Sequence, residues 1–580
     1  MEQNIYLLKA RLQKENLVGF IIPSEDEFLS EYTGPHYNRL QWVSNFTGSA
    51  GTAVISSQSK SSFFTDGRYT LQAAKEVAKE NFEIFQFSEK SIADWIKENF
   101  HEGASIGYDS RLFTEEKLDS LEEDLEGKYK LISYDYNFID ELWDDRPSKS
   151  TEPAFIYEEK YCGISYQEKL KLIRHKMNPN SDALIITMSE SVCWLLNIRG
   201  KDLEDTPLLH SYAIICRDKA KIFTDINKIT SEIHKQRPDI EFHNFLELKE
   251  ILHNFNGKVV QIDAENSAKW FFDQLEYCYI IRELDPCIPL KAIKNSTEIH
   301  SIKNAHIYDG LAMVKFLYWL DNNINKTELT EISISEKLLE FRKEHKEFFS
   351  SSFATIAGFG ANGAIVHYKA KPSTNLKIQD NNLLLLDSGA QYLSGTTDVT
   401  RTIPLGNITE EQKKDYTLVL KSHIMLGSSK FPRGIMGTHL DSLARYHLWQ
   451  HQKDYNHGTG HGVGCFLGVH EGPARISKAF NYSKLEPGMV FSNEPGFYLE
   501  GKYGIRIENL VIIKTYSENF MEFETLTMIP INTKPIDLTL MTSQEVAWLN
   551  DYHAKVLSNL SPHITDKDLL QWLKEACQAI

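Results

Sequence analysis

At 580 residues the chain is too long for one hydrophobic core and predicts about two to four domains. Its composition, 42% hydrophobic and 25% charged, is that of a folded globular protein and excludes a disordered chain; no apolar run is long enough to span a bilayer. A formal net charge of −17 excludes a nucleic-acid footprint, because phosphate binding needs a basic face.

Residues 1–150 predict a first α/β domain. Val18-Gly19-Phe20-Ile21-Ile22 is a buried-strand run closed by Pro23, and Gly51–Ile55 and Ser62–Thr65 read as further strands. Tyr69–Lys79 reads as a helix. The polar stretch Asp144–Ser150 marks a boundary. Residues 151–293 repeat the pattern, with a helix over Ser165–Met177 and strands at Ala183–Thr187 and Tyr212–Cys216. Trp194-Leu195-Leu196-Asn197-Ile198-Arg199-Gly200 echoes Trp42-Val43-Ser44-Asn45-Phe46-Thr47-Gly48, which suggests two domains of related topology.

The third domain, 294–580, opens on a helix that Asn295 caps, with Glu298 reaching back. Ile299, Ile302, Met313, Phe316, Leu317 and Leu320 recur at one-face spacing. After Phe349, short apolar runs between glycines indicate a sheet. Gly358–Gly363 fits the G-x-G-x-x-G spacing, but Ala364–Tyr368 after it reads as a strand where a dinucleotide-binding turn needs a helix. From about Asp551 the chain reads as polar and helical, with no chemistry assigned.

Seven scattered cysteines without a Cys-x-x-Cys pair read as reduced thiols in a cytoplasmic protein, and the N-terminus lacks the apolar core of a signal peptide. The chemistry concentrates in the last third. Asp387, Asp398, His461, Glu494 and Glu508 each lie in or beside a strand-like or glycine-rich stretch, where packing normally excludes charge. Four carboxylates held together repel strongly unless cations compensate them. Two divalent ions bring the set to formal neutrality, so the pattern points to a dinuclear metallohydrolase using Mn²⁺, Co²⁺ or Zn²⁺.

The flanking residues carry a resemblance. Asp387-Ser388-Gly389-Ala390-Gln391-Tyr392, Gly395–Thr402, His457–Gly464, Asn493-Glu494-Pro495-Gly496 and Gly504–Asn509 resemble motifs of the Xaa-Pro aminopeptidases of the long, three-domain type, within the pita-bread (creatinase/methionine aminopeptidase-like) metallopeptidase family. Asn45–Gly51, Thr65–Tyr69, Phe523–Thr527 and Trp548–His553 extend the match over nearly the whole chain. The resemblance implies an α/β (α+β) chain with two creatinase-N-terminal-like domains and a C-terminal pita-bread catalytic domain. It implies a homodimer and two metal ions per chain, usually Mn²⁺. Asp398 and Glu508 would bridge the metals, with Asp387 completing one and His461 and Glu494 the other.

His367, His457 and His470 fall on the family's catalytic and substrate positions, and Arg506 would order a carboxylate ligand. The implied reaction is hydrolysis of the first bond of a peptide with proline second, by a metal-activated hydroxide. His470 would stabilise the oxyanion and Glu494 would carry the proton. The first domain departs from the pattern. Ser24-Glu25-Asp26-Glu27 lacks the expected histidine, and Arg39 is the one basic residue of an expected pair left to reach substrate. A prolidase-like dipeptidase and a non-catalytic peptide-binding relative are the alternatives.

Overall fold

The computed structural model describes residues 2–580. The chain falls into two compact units. One comprises the residues up to Glu159 with Ile164–Ile288; the other comprises Lys160–Gly163 with Pro289–Ile580.

The first unit contains two six-stranded sheets. In the first, the spatial order is Phe82–Gln86, Ser61–Thr65, Gly51–Ser56, Gly19–Pro23, Ser105–Asp109, Lys130–Tyr134. Gly19–Pro23 pairs antiparallel with Gly51–Ser56 and parallel with Ser105–Asp109. The apolar runs are continuous because both faces are covered. Strand alternation sends Phe20, Ile22, Ala53 and Ile55 into one core and Ile21 and Val54 into the other. The second sheet, Ile240–Asn244, Ala220–Thr224, Tyr212–Cys216, Ala183–Ile186, Val259–Ile262, Tyr279–Arg282, repeats the order and every parallel or antiparallel relation of the first. The Trp-x-x-Asn echo sits at matching points of the two sheets. The helices Arg39–Ser44 and Ser189–Leu196 both end on an asparagine in the left-handed region, Asn45 (φ 66°) and Asn197 (φ 50°). Asparagine tolerates that conformation better than most residues.

The predicted helix Tyr69–Lys79 is shorter, Thr70–Glu76. Val77 is extended and turns its side chain inward, while the Glu76 carboxylate accepts from the Thr47 backbone N–H at 2.9 Å. Tertiary contacts therefore end the helix before its local propensity does.

The second unit opens on the helix Ser296–Asn323, capped reciprocally by Asn295 and Glu298. Ile302, Met313, Phe316, Leu317 and Leu320 are buried on it, whereas Ile299 is half-buried. Ile356–Phe359, Asn381–Ser388 and Val399–Gly406 form one antiparallel sheet. A six-stranded sheet runs Lys430–Pro432, Phe520–Thr525, Asn509–Thr515, Val490–Asn493, Gly460–Gly462, Glu471–Ile476. The helices Glu410–Gly427 and Gly437–Trp449 complete its core.

Two stretches of the second unit depart from their sequence expectations. Ala364–Tyr368 is not a strand. Ile356–Phe359 leads into a 3₁₀ turn, Gly360–Ala364, followed by a turn carrying His367. The backbone turns because Gly363 lies against Gly504, where a Cβ would come within 1.8 Å of the Gly363 carbonyl oxygen. The C-terminal segment is helical, as Ser543–Leu560 and Lys567–Ala576, but it is not merely polar: Leu549, Tyr552, Val556, Leu560, Leu569 and Leu573 belong to the core of this unit. No helix among the described residues is long and apolar enough to cross a membrane.

Candidate metal centre

All five candidate ligands lie in the second unit, four at or beside the ends of strands and His461 within one. Asp387 is near the end of Asn381–Ser388 and Asp398 immediately precedes Val399–Gly406. His461 is the middle residue of Gly460–Gly462, Glu494 follows Val490–Asn493, and Glu508 precedes Asn509–Thr515. Strand ends place side chains accurately while leaving one side open. One ligand atom each from Asp398, His461 and Glu508 lies within 4.8 Å of the other two. His461 Nε2 is 3.5 Å from Asp398 Oδ2 and 3.5 Å from Glu494 Oε1. These separations are too long for hydrogen bonds and match the edge, roughly 3.4 Å, of a tetrahedron of ligands around a cation with bonds near 2.1 Å.

The histidine is prepared for a cation. His461 Nδ1 is 3.0 Å from the Gly462 carbonyl oxygen, so it carries the proton and leaves the Nε2 lone pair facing the carboxylates. Burial, followed by the repulsion of Asp387 and Glu494, pushes the Asp398 carboxyl far above its ordinary range. Burial and Asp398 do the same to Glu508, and burial and Glu508 to Glu494. Asp387 Oδ1 is buried without a hydrogen-bond partner. Such a set is costly when empty and is stabilised by cations, so these residues fit two divalent ions.

Around this centre the polar groups form a directed chain. Arg506 is buried and donates to Asp387 Oδ2 at 2.6 Å and to the Val366 carbonyl at 3.3 Å. Its Nη1 donates to Tyr498 Oη at 2.6 Å, and that hydroxyl lies 2.8 Å from His457 Nε2. His457 Nδ1 is 2.7 Å from the Gly458 carbonyl, so Nδ1 holds the proton and Nε2 accepts from Tyr498. Thr400 Oγ1 donates to Glu508 Oε2 at 2.7 Å and accepts from Arg506 Nε at 3.1 Å. The His470 ring packs on His461, with centroids 4.2 Å apart and an interplanar angle of 66°. His367 sits in the turn one residue beyond the carbonyl that Arg506 holds.

Arg39 lies in the first unit. Its guanidinium is 1% exposed, donating to Glu27 Oε1 at 2.6 Å and to Asp140 Oδ1 at 2.7 Å. Its charge is answered within that unit by these two carboxylates.

Tyr498 was not singled out from sequence. The signal is indirect: a Cβ on Gly496 would lie 2.6 Å from the Tyr498 hydroxyl oxygen, so the glycine of Asn-Glu-Pro-Gly makes room for it. His423 was also missed. Its Nδ1 is 3.0 Å from the Asn493 carbonyl and its Nε2 accepts from Asn509 Nδ2 at 3.1 Å, which ties together the neighbours of Glu494 and Glu508. Arg401 Nη1 donates to the Glu508 carbonyl at 2.6 Å, and Arg401 Nη2 donates to Tyr552 Oη at 3.0 Å in the C-terminal helix.

Known proteins resemble this chain along nearly its whole length. Residues 300–515 match metallopeptidase family M24 and residues 519–580 the C-terminal region of peptidase M24. Residues 5–142 and 145–298 each match a creatinase/prolidase N-terminal domain. The chain is 37% identical to Xaa-Pro aminopeptidase 1 of Dictyostelium discoideum, over 99% of this chain and 96% of that protein. The chain belongs to metallopeptidase family M24. Aminopeptidase P2 of Arabidopsis thaliana is 36% identical over 97% of this chain and 86% of its own length. Among solved structures, an X-prolyl aminopeptidase from Caenorhabditis elegans, described as a cytosolic enzyme with a di-nuclear active site, superposes with a TM-score of 0.94. It shares 33% identity and covers 97% of this chain and 95% of its own. An Xaa-Pro dipeptidase from Bacillus anthracis, at 25% identity and a TM-score of 0.52, covers 63% of this chain and 99% of its own.

Proposed function

We propose that this chain is a two-metal aminopeptidase that releases the N-terminal residue from peptides with proline at the second position. The observation that carries the reading is the convergence of Asp398, His461 and Glu508 from three separate strands and their edges, in a chain similar over its full length to Xaa-Pro aminopeptidases. Asp398 and Glu508 are assigned as bridging ligands, Asp387 to one metal, and His461 and Glu494 to the other. Bound divalent cations, Mn²⁺ in our reading with Co²⁺ or Zn²⁺ as alternatives, would activate water and polarise the scissile carbonyl.

The chain's own residues supply the rest. Glu494 accepts the proton of the attacking water and returns it to the leaving proline nitrogen. His470, against His461, donates to the developing oxyanion. Tyr498 keeps His457 in one tautomer, and His457 and His367 orient the peptide. Arg506 fixes Asp387. We further assign creatinase-like domains to 1–150 and 151–293 and the catalytic domain to 294–580, and place the enzyme in the cytoplasm as a homodimer.

The similarity to an Xaa-Pro dipeptidase keeps one second reading in view, but that protein covers only 63% of this chain. Metal-stripped protein should release the first residue of an Xaa-Pro-Xaa tripeptide only after Mn²⁺ is restored, and should spare Xaa-Ala-Xaa. Cleavage confined to Xaa-Pro dipeptides would favour the dipeptidase. Silence with Mn²⁺, Co²⁺ and Zn²⁺ alike would remove the enzymatic reading.

A further inference from the structure

We propose that Glu471 is a positioning residue for His470, clamped by Lys291 and Lys294; the inference rests on the reading of His470 given above. Backbone pairing alone leaves this part of the chain under-determined. Gly460 pairs with Ile476 and His461 with Arg475, but Gly462 pairs with Glu471, so residues 472–474 are looped out between consecutive partners. Glu471 is where pairing resumes, and the His470 ring that packs on His461 is its immediate neighbour. The approach at this point is close: a Cβ on Gly462 would lie 2.2 Å from the Glu471 carbonyl oxygen.

The Glu471 side chain supplies what the ladder does not. Its Oε1 accepts from Lys294 Nζ, and its Oε2 lies 3.3 Å from Lys291 Nζ. The three side chains are 4%, 1% and 2% exposed, in the order Glu471, Lys294, Lys291, so water does not screen the cluster. Burial pushes the Glu471 carboxyl up, and Lys291 and Lys294 more than reverse this, so it is ionised.

Lys294 is itself anchored. The Lys294 N–H donates to the Gly488 carbonyl at 3.0 Å, and Ile293 bridges to Met489. Both partners immediately precede the strand Val490–Asn493, which leads to Glu494. The clamp therefore ties the His470 loop to the strand carrying a proposed ligand, by a route separate from the ladder. Three buried charges, one negative and two positive, are a poor device for stability, since desolvation offsets their attraction. Their best-attested use is to specify one geometry.

The test is a double-mutant cycle with Glu471→Gln and His470→Ala, read as kcat and KM on an Xaa-Pro-Xaa peptide. Thermal midpoint and bound Mn²⁺ serve as controls. Glu471→Gln should lower kcat about tenfold with KM and metal content little changed. Added to His470→Ala it should cost less than about twofold more, because the two act as one unit. Multiplicative losses, or a parental kcat in Glu471→Gln, would overturn the inference and leave the role of His470 standing. A parental kcat in His470→Ala would instead remove the reading on which it rests. If Glu471→Gln does not fold, Lys291→Met enters the same cycle, with a loss of about threefold expected and the same requirement that it vanish in the His470→Ala background.

Discussion

The hydroxyl of Tyr498 occupies a position where a single atom does two jobs. It accepts from Arg506 and donates to His457, so the guanidinium that fixes Asp387 and the imidazole assigned to substrate are held by one oxygen. Tyr498→Phe keeps the ring and removes that link; kcat should fall about tenfold while the thermal midpoint changes little, and an unchanged kcat would show that His457 is oriented by other contacts. The five proposed ligands were visible in sequence because each lies in or beside a strand-like or glycine-rich stretch. Tyr498, His423 and Arg401 were not, because a buried polar side chain that supports a ligand looks in sequence like any other strand or helix residue.

A second residue-scale prediction concerns the first unit. Asp26 is fully buried, and burial, only partly offset by the Ser30 and Phe28 N–H groups and reinforced by Glu27, raises its carboxyl from 3.8 to about 7. His210 Nε2 lies 3.9 Å from Asp26 Oδ2; burial and Lys228, with Lys149 beyond and Glu27 opposing, lower the imidazole to about 3. A raised folded-state pKa means that the stabilisation from protonated Asp26 is complete below about 3.8 and is lost as pH rises through about 7. Asp26→Asn should match the parent near pH 4 and become progressively more stable than it towards pH 7, by a few kcal/mol at most, on the order of 1.4 per pKa unit. Thermal midpoints of the pair across this range provide the check, and a constant difference would contradict the account.

Helices and strands were legible where burial and periodicity coincide. The run Gly19–Pro23 and the Asn295 cap are cases in which one local signal decides the element. The failures have physical causes too. Glu76 is recruited by Thr47, and Gly363 must turn beneath Gly504, and neither partner is local in sequence. The Trp-x-x-Asn echo proved to be a helix terminus, and its two copies should respond differently to mutation. Asn45 serves through its left-handed backbone, so Asn45→Gly should change stability by less than about 0.5 kcal/mol and Asn45→Val should cost about 1–2 kcal/mol. Asn197 also accepts from the buried Lys169 Nζ at 2.7 Å and donates to the Ile164 carbonyl at 2.8 Å. Asn197→Gly should therefore cost about 1–3 kcal/mol despite the permissive backbone. Denaturant unfolding of the three variants separates the two roles, and equal costs for both glycine substitutions would refute the distinction.

Across the whole chain, the two six-stranded sheets of the first unit share one topology, and the polar machinery concentrates in the second unit. Sequence exposed the repeat through a similar run of elements and one seven-residue echo, because a sheet constrains hydrophobic pattern far more tightly than residue identity. It exposed the candidate ligands much more fully, because charges in or beside strand-like and glycine-rich stretches are rare enough to stand out. The C-terminal helices read as polar because their buried stripe is interleaved with charge, yet through Tyr552 and Arg401 they reach the backbone of Glu508.

In the proposed mechanism four carboxylates and one imidazole assemble a two-metal centre that removes the residue before proline. The decisive experiment titrates metal-stripped protein with Mn²⁺ while following release of the first residue from an Xaa-Pro-Xaa peptide. Activity should rise until two ions are bound per chain. Glu508→Gln should bind fewer and fall below about one-thousandth of the parental rate, the several kcal/mol such a centre contributes. Full activity at one ion per chain, or parental turnover in Glu508→Gln, would refute a two-metal centre held by Glu508.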